Sequence, residues 1–122
     1  MVTNKLVKTE LMYAVLENNI KEVESLLNQG VEVNFQDALG YTALMHAVEL
    51  NYKPIAQLLI DHGADVNIKN NVGFSPLMHA VYFSQDKNLA KFLLDNKATP
   101  NDAFTLAVIK QNEDLIKLLI EH

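Results

Sequence analysis

The feature that most constrains this chain is an internal repeat with a fixed period. One pattern appears twice, as Gly40, Thr42, Leu44, Met45, His46 and Ala47 and again as Gly73, Ser75, Leu77, Met78, His79 and Ala80, with every member moved by the same step. A fixed period of this length is typical of stacked repeats, in which each unit buries its apolar surface against its neighbours. The chain is therefore expected to build one elongated core from similar units.

The second unit shows what each repeat contains. Thr42 is a candidate N-cap of a short helix, since its hydroxyl can accept a free backbone N–H. Pro54 falls in the first turn of a second helix, where a missing N–H is harmless. The glycines of the chain occupy only two slots of the repeat, after the second helix (Gly30, Gly63) and in the turn (Gly40, Gly73). This pattern predicts a helix pair followed by a turn in each unit.

Four units follow from the pattern, at about 9–36, 37–69, 70–101 and 102–122, in a single domain spanning 1–122. Each opens on a residue suited to cap a helix: Thr9, Thr42, Ser75 and Asp102. The third unit has one extra residue in its loop, so its second helix starts one position later than the period alone would place it. The fourth unit is shortened, lacks a turn arm, and places Phe104 in a core position.

Composition excludes several classes of function. The net charge is −5 and all ten basic residues are lysines, so the basic, arginine-rich face of a nucleic-acid-binding protein is missing. The chain has no Cys, which removes disulfides and thiolate chemistry. It has neither the apolar run of a signal peptide nor a segment long enough to span a membrane. A soluble cytoplasmic protein with no nucleic-acid or membrane partner is expected.

These motifs resemble the ankyrin repeat over about residues 9–122. The family's T-P-L-H-x-A opening corresponds to Thr42–Ala47 and Ser75–Ala80, and its L-L-x-x-G-A-D-V-N exit to Leu58–Asn67, with weaker copies at 26–34 and 93–101. The resemblance implies an all-α, ankyrin-like solenoid of four stacked helix pairs with short β-turn arms. It also implies a protein-binding module without catalytic residues, cofactor or metal.

Two departures from the family pattern affect these expectations. The family's opening His is Met45 and Met78 here, so the hydrogen bonds that His makes between neighbouring loops are not expected. The last unit ends at His122, and Ile116 and Ile120 resemble an internal unit more than a polar cap. Two explanations remain open: a fragment of a longer array, or a C-terminal face less polar than that of a lone domain.

In the resemblance, the turns and the ends of the first helices line the concave face of the array. The residues at these positions form the predicted partner-binding site: Leu39, Tyr41, His46, Glu49, Val72, Phe74, His79 and Tyr82. Aromatic residues are enriched at interaction hot spots, and an apolar patch on a surface usually marks a binding site. The alternative is that several of these apolar residues pack between neighbouring arms, with Leu50, Val72 and Phe83 the first to be buried.

Two other classes of function compete with partner binding. His46 and His79 could serve a metal-dependent enzyme, but stacked repeats lie about 10 Å apart, too far for two imidazoles to share one zinc. No third ligand is spaced to match, so histidines packed between repeats are favoured. The second alternative is self-association, or docking to further repeats, through a C-terminal face of Leu115, Ile116, Leu119 and Ile120. A monomer with weak self-association at most is expected.

Overall fold

The structure is a computed structural model that describes residues 4–122, with side chains from Glu10 onwards. In this range the helices form four pairs: α1 (Asn4–Leu16) with α2 (Ile20–Asn28), α3 (Ala43–Glu49) with α4 (Lys53–Asp61), α5 (Pro76–His79) with α6 (Lys87–Asp95), and α7 (Asn101–Ile109) with α8 (Glu113–Glu121). No strand occurs between residues 4 and 122. The predicted all-α repeat fold is confirmed. None of the helices described is long and apolar enough to cross a membrane.

The first helices of the pairs stack in chain order, α1 on α3, α3 on α5 and α5 on α7. Behind them, α2 packs on α4 and α6 packs on α8. Each pair contributes apolar residues to one continuous core, including Leu11, Val15, Leu44, Ile55, Leu59, Leu77, Leu89, Leu93 and Leu115. The residues that share a repeat position, such as Leu44 and Leu77, are almost completely buried, as the period of the sequence predicts.

Two of the four predicted helix caps are confirmed. The hydroxyl of Thr42 accepts the N–H of the third helical residue at 3.3 Å, and Ser75 does the same in the next unit. The cap predicted at Thr9 is wrong, because α1 begins at Asn4 and includes Thr9. The cap predicted at Asp102 is also wrong: α7 begins at Asn101, and the Asp102 carboxylate instead pairs with the ammonium of Lys69 at 2.6 Å.

Each turn arm, residues 37–41 in the second unit and 70–74 in the third, is held by one side chain that accepts two backbone N–H groups. Oδ1 of Asp37 accepts from Leu39 at 3.0 Å and from Tyr41 at 2.9 Å. Asn70 repeats the arrangement at the same position of the next unit, where it accepts the N–H groups of Val72 and Phe74. Asp and Asn commonly organise turns in this way. The arms are therefore fixed from within before any contact between units is made.

Amide side chains, and not the family's histidine, connect the arms. The Asn71 N–H donates to the carbonyl of Leu39 and its Nδ2 to that of Ala38, at 3.1 and 3.0 Å. Nε2 of Gln36 donates to the carbonyl of Lys69 at 3.1 Å. Met45, in place of the family's His, directs its sulfur at the N–H of its own N-cap residue instead. The two arms are thereby held in fixed register.

The extra residue of the third unit widens the end of its first helix. α5 continues into a π-helical turn over Ala80–Ser84, in which the Gln85 N–H donates to the Ala80 carbonyl at 2.7 Å. The hydroxyl of Ser84 donates to the carbonyl of Val48, at the end of α3, at 2.5 Å. π-helical turns are rare, and where they occur they are often found at functional sites. The insertion is thus anchored to the preceding unit and does not hang free as a longer loop.

The last helix pair differs from the sequence-based expectation. Phe104, predicted to be core, is 40% exposed, whereas its counterpart Leu77 is fully buried on α5, the helix that α7 packs against. No further unit covers α7 in the part of the chain that the structure describes. Leu115 and Leu119, which the repeat pattern places in core positions, are buried in the core, so they do not contribute to the C-terminal face considered for self-association.

Candidate functional site

A cluster of aromatic rings spans the second and third units on the face that carries the turn arms. We call it the aromatic cluster, and it consists of Tyr41, His46, Phe74, His79, Tyr82 and Phe83. The ring of Tyr41 lies between the two histidines, 4.7 Å from His46 and 5.0 Å from His79. Phe74 lies 5.5 Å from His79, edge to face. The cluster joins the turn arms to the ends of the first helices.

His46 is used to fix the first arm. Its Nε2 lies 3.0 Å from Oδ2 of Asp37, and the His46 side chain is only partly exposed. Burial opposes ionisation of Asp37, but the hydrogen bonds from His46 and from the N–H groups of Tyr41 and Leu39 outweigh it and lower the pKa of this carboxyl. Both oxygens of Asp37 are therefore already engaged within the protein.

His79 occupies the equivalent position one unit later, but its side chain is 0% exposed. Nδ1 lies 2.8 Å from the carbonyl oxygen of Ser75, and Nε2 has no hydrogen-bond partner among the described residues. Burial lowers the pKa of His79, although the Ser75 carbonyl and the Glu49 carboxylate oppose the effect. The prediction that His79 contacts a partner needs correction: its ring lies beneath Tyr41, Phe74 and Phe83 and supports them from below.

Glu49 ends α3 and stands next to the cluster. Burial raises the pKa of Tyr41, and the nearby Glu49 carboxylate raises it further. Nε2 of the buried His79 lies 3.9 Å from Glu49 Oε2, beyond hydrogen-bonding distance. The side chain of Glu49 is 29% exposed, so this carboxylate can still be reached from outside.

The structure also places the apolar residues that sequence alone left undecided. Leu39 and Val72 lie at the tips of the two turns and are strongly exposed. Leu50, Val72 and Phe83 were expected to be buried first if the arms packed together. That expectation is wrong: their exposed fractions are 42%, 79% and 46%. The arms are joined through backbone and amide groups, so these side chains remain outside.

Sequence reasoning missed the contribution of the first unit. Tyr13 and Leu16 occupy in that unit the repeat positions that His46 and Glu49 occupy in the second, and both are exposed. With Met12 they continue the face toward the N-terminus, and Leu16 borders two shallow depressions there. The repeat period alone was enough to assign Tyr13 and Leu16 to this face.

The fourth unit closes the other end of the face. Nζ of Lys110, just after α7, lies 4.1 Å from the centre of the Tyr82 ring. A cation at this distance from an aromatic ring is attracted to its face. The C-terminal end of the site is therefore basic, while Glu49 makes its middle acidic.

The two histidines considered from the sequence as metal ligands each have one ring nitrogen engaged within the protein. Nε2 of His46 is engaged by Asp37, and Nδ1 of His79 by the Ser75 carbonyl. The described residues include no group of three His, Asp or Glu side chains placed to hold a metal ion. What the face offers is a set of exposed apolar and aromatic side chains with two carboxylates, Asp37 and Glu49, whose side chains are each 29% exposed.

Comparison with known proteins identifies the repeats. Residues 11–103 match the family model described as "Ankyrin repeats (3 copies)". A search of curated proteins finds no match. Ankyrin repeats are generally protein–protein interaction modules, and the family is generally non-enzymatic. Because the match spans well over half of the chain and the helix pairs stack as that family requires, this protein belongs to the ankyrin repeat family.

Proposed function

We propose that this chain is a non-enzymatic module that binds a protein or peptide partner on the concave face, formed by the turn arms and the ends of the first helices. The observation that carries the proposal is that every unit exposes apolar side chains in the last turn of its first helix or just after it: Tyr13, Leu16, Leu50, Phe83 and Ile109. Exposed apolar surface of this kind usually marks an interaction site. The negative charge and the absence of Arg favour a protein partner over nucleic acid.

The proposed surface is fixed in advance of binding. Asp37 and Asn70 hold the arms, and Ser84 ties the π-helical turn to the end of α3. The buried ring of His79 supports Tyr41 and Phe74. A surface that is already ordered loses little conformational entropy when a partner binds, so more of the contact energy appears as affinity.

Selection from a random peptide display library tests the proposal. Peptides that bind the purified chain are expected to lose about 30-fold in affinity when Leu50→Ser and Phe83→Ser are combined, because a central apolar contact is commonly worth about 2 kcal/mol. Both side chains are already more than two-fifths exposed, so the fold is expected to survive the change. Fluorescence polarisation gives the affinities, and circular dichroism checks the fold.

Ile20→Ser is the matched control. Ile20 is as exposed as Leu50, at 43%, but it begins α2 and therefore lies outside the set of exposed side chains at the ends of the first helices. Its replacement is expected to leave peptide affinity within about twofold. A selection that enriches no peptide, or peptides that bind the Leu50/Phe83 variant as tightly as the original chain, would count against this function.

A second candidate function is self-association through the C-terminal end. Phe104, Val108 and Ile120 are 40%, 48% and 68% exposed, although their counterparts in the third unit, Leu77, Val81 and Leu94, are buried. In an internal unit, residues at these positions are covered by the unit that follows. Ile116 is partly buried and borders the same helix pair.

The two candidates differ in what concentration does to particle size. Self-association predicts a mass, measured by light scattering on an eluting column, that rises with concentration and returns to the monomer value in Val108→Glu. A constant monomer mass over the same range would remove this second candidate and leave peptide binding unaffected.

A further inference from the structure

The middle of the concave face carries a carboxylate without a cationic partner in the described part of the chain. The lysine ion pairs described there are Lys69 with Asp102 and Lys91 with Asp95, both away from Glu49. The neighbouring titratable side chain of Tyr41 supplies no charge to it, because burial and the Glu49 carboxylate raise the pKa of Tyr41 and keep its hydroxyl neutral. A partly buried carboxylate in this position retains a strong preference for a positively charged donor.

The buried histidine next to Glu49 adds to that preference. Burial lowers the pKa of His79 and favours the neutral ring. The carbonyl of Ser75 can only accept, so in the neutral ring Nδ1 of His79 carries the proton and Nε2 is an acceptor. Nε2 finds no donor among the described residues and lies 3.9 Å from Oε2 of Glu49. Two acceptors therefore face each other with no donor between them. Buried polar atoms are nearly always paired, which makes this orphan atom notable.

Asp37, the other carboxylate on this face, does not have the same vacancy. Its Oδ1 accepts two backbone N–H groups and its Oδ2 meets Nε2 of His46. An additional cation at Asp37 would have to displace one of these contacts. The geometry thus separates a carboxylate that builds the turn from one, Glu49, that remains available.

An apolar depression adjoins the available carboxylate. It is lined by Leu16, Tyr41, His46, Glu49 and Leu50 and has a volume of about 250 Å³. Small-molecule sites are commonly about 300–1,000 Å³, so this space is better matched to one or two side chains of a bound segment. Its walls are aliphatic and aromatic, and Glu49 provides the charge at its edge.

We propose that the concave face binds a segment in which a lysine or arginine side chain lies beside an apolar one. This inference rests on the proposed function and specifies the partner. The cationic group donates to the Glu49 carboxylate, and the apolar side chain covers Leu16 and Leu50. Covering these residues removes water from around the ion pair, which strengthens it. The net charge of −5 on the chain also favours approach of a basic partner.

The peptides selected from the random library provide the test. Most are expected to carry Lys or Arg at a fixed distance from an aliphatic or aromatic residue. In the best of them, norleucine in place of the basic residue is expected to weaken binding to the original chain about tenfold, a typical effect for a close, partly buried charge pair. On Glu49→Gln the same peptide change is expected to have almost no effect, because the charge it paired with is gone.

Glu24→Gln is the control for the protein change. Glu24 is exposed on α2, and the same loss of charge there is expected to leave affinity unchanged. Enriched peptides without a basic residue, or a norleucine effect that persists on Glu49→Gln, would overturn the inference while leaving the proposed function in place. Failure to enrich any peptide would overturn both. The norleucine comparison on the unaltered chain does not depend on how any variant folds.

Discussion

Replacing His79 with Ala is expected to lower the free energy of unfolding by about 3 kcal/mol, the range seen when a buried ring is removed and a cavity is left. The His79 side chain is 0% exposed, it contacts the rings of Tyr41, Phe74 and Phe83, and its Nδ1 donates to the carbonyl of Ser75. The change removes all of these contacts together. Urea unfolding, followed by circular dichroism, gives the value.

His46→Ala is the matched comparison, since the two histidines occupy one repeat position. The His46 side chain is 19% exposed and contacts Tyr41 and Asp37, so its loss is expected to cost about 1 kcal/mol. Equal losses for the two variants would mean that the ring of His79 contributes no more than an arm contact. Residues other than His79 would then have to hold the aromatic cluster in place.

The period of the sequence predicts which residues are equivalent, and this covers most of the fold. Thr42 and Ser75 cap helices as predicted, and Leu44 and Leu77 are core. Lys97 takes the place of a glycine and adopts the same positive φ, 75°. Local rules of this kind depend on a few neighbouring residues, so a single sequence is enough to apply them.

A shared repeat position does not predict how exposed a residue is, because exposure depends on which side chains of its own and neighbouring units cover it. Phe104 shares a repeat position with Leu77 but has no following unit on it in the described chain. His46 and His79 also share a position, yet only His79 is completely covered, and the rings on it are Tyr41 of the preceding unit and Phe74 and Phe83 of its own unit. The residues of the aromatic cluster can be identified from the sequence, but which of them are buried beneath the others cannot.

The π-helical turn is a second feature of the candidate site that the sequence alone does not predict. One extra residue is visible in the sequence of the third unit, but spacing alone does not show whether it lengthens a loop or widens a helix. Ser84 bonds to the carbonyl of Val48, and the wider turn leaves Phe83 partly exposed beside Tyr82. A contact between distant residues of this kind cannot be obtained from spacing within one unit.

Substituting Gly40 with Ala is expected to be more damaging than the same change at Gly73, although the two share one slot of the turn. Both have positive φ, 82° and 88°, which costs a residue with a Cβ about 1–2 kcal/mol. At Gly40 the added Cβ would also lie 2.7 Å from the backbone nitrogen of Asn71 and 3.0 Å from Cα of Asn70. No atom lies within 4 Å of the corresponding position at Gly73.

Gly73→Ala therefore measures the conformational cost alone, and the difference between the two variants measures the close approach of the second arm. That difference is expected to reach about 2 kcal/mol, as for overpacking in a rigid surrounding, because the nearest backbone atom belongs to an arm held by Asn70 and Asn71. Urea unfolding of both variants gives the two values. Similar losses at the two glycines would show that the arms can separate at little cost, and the surface they form would then not be fixed before a partner binds.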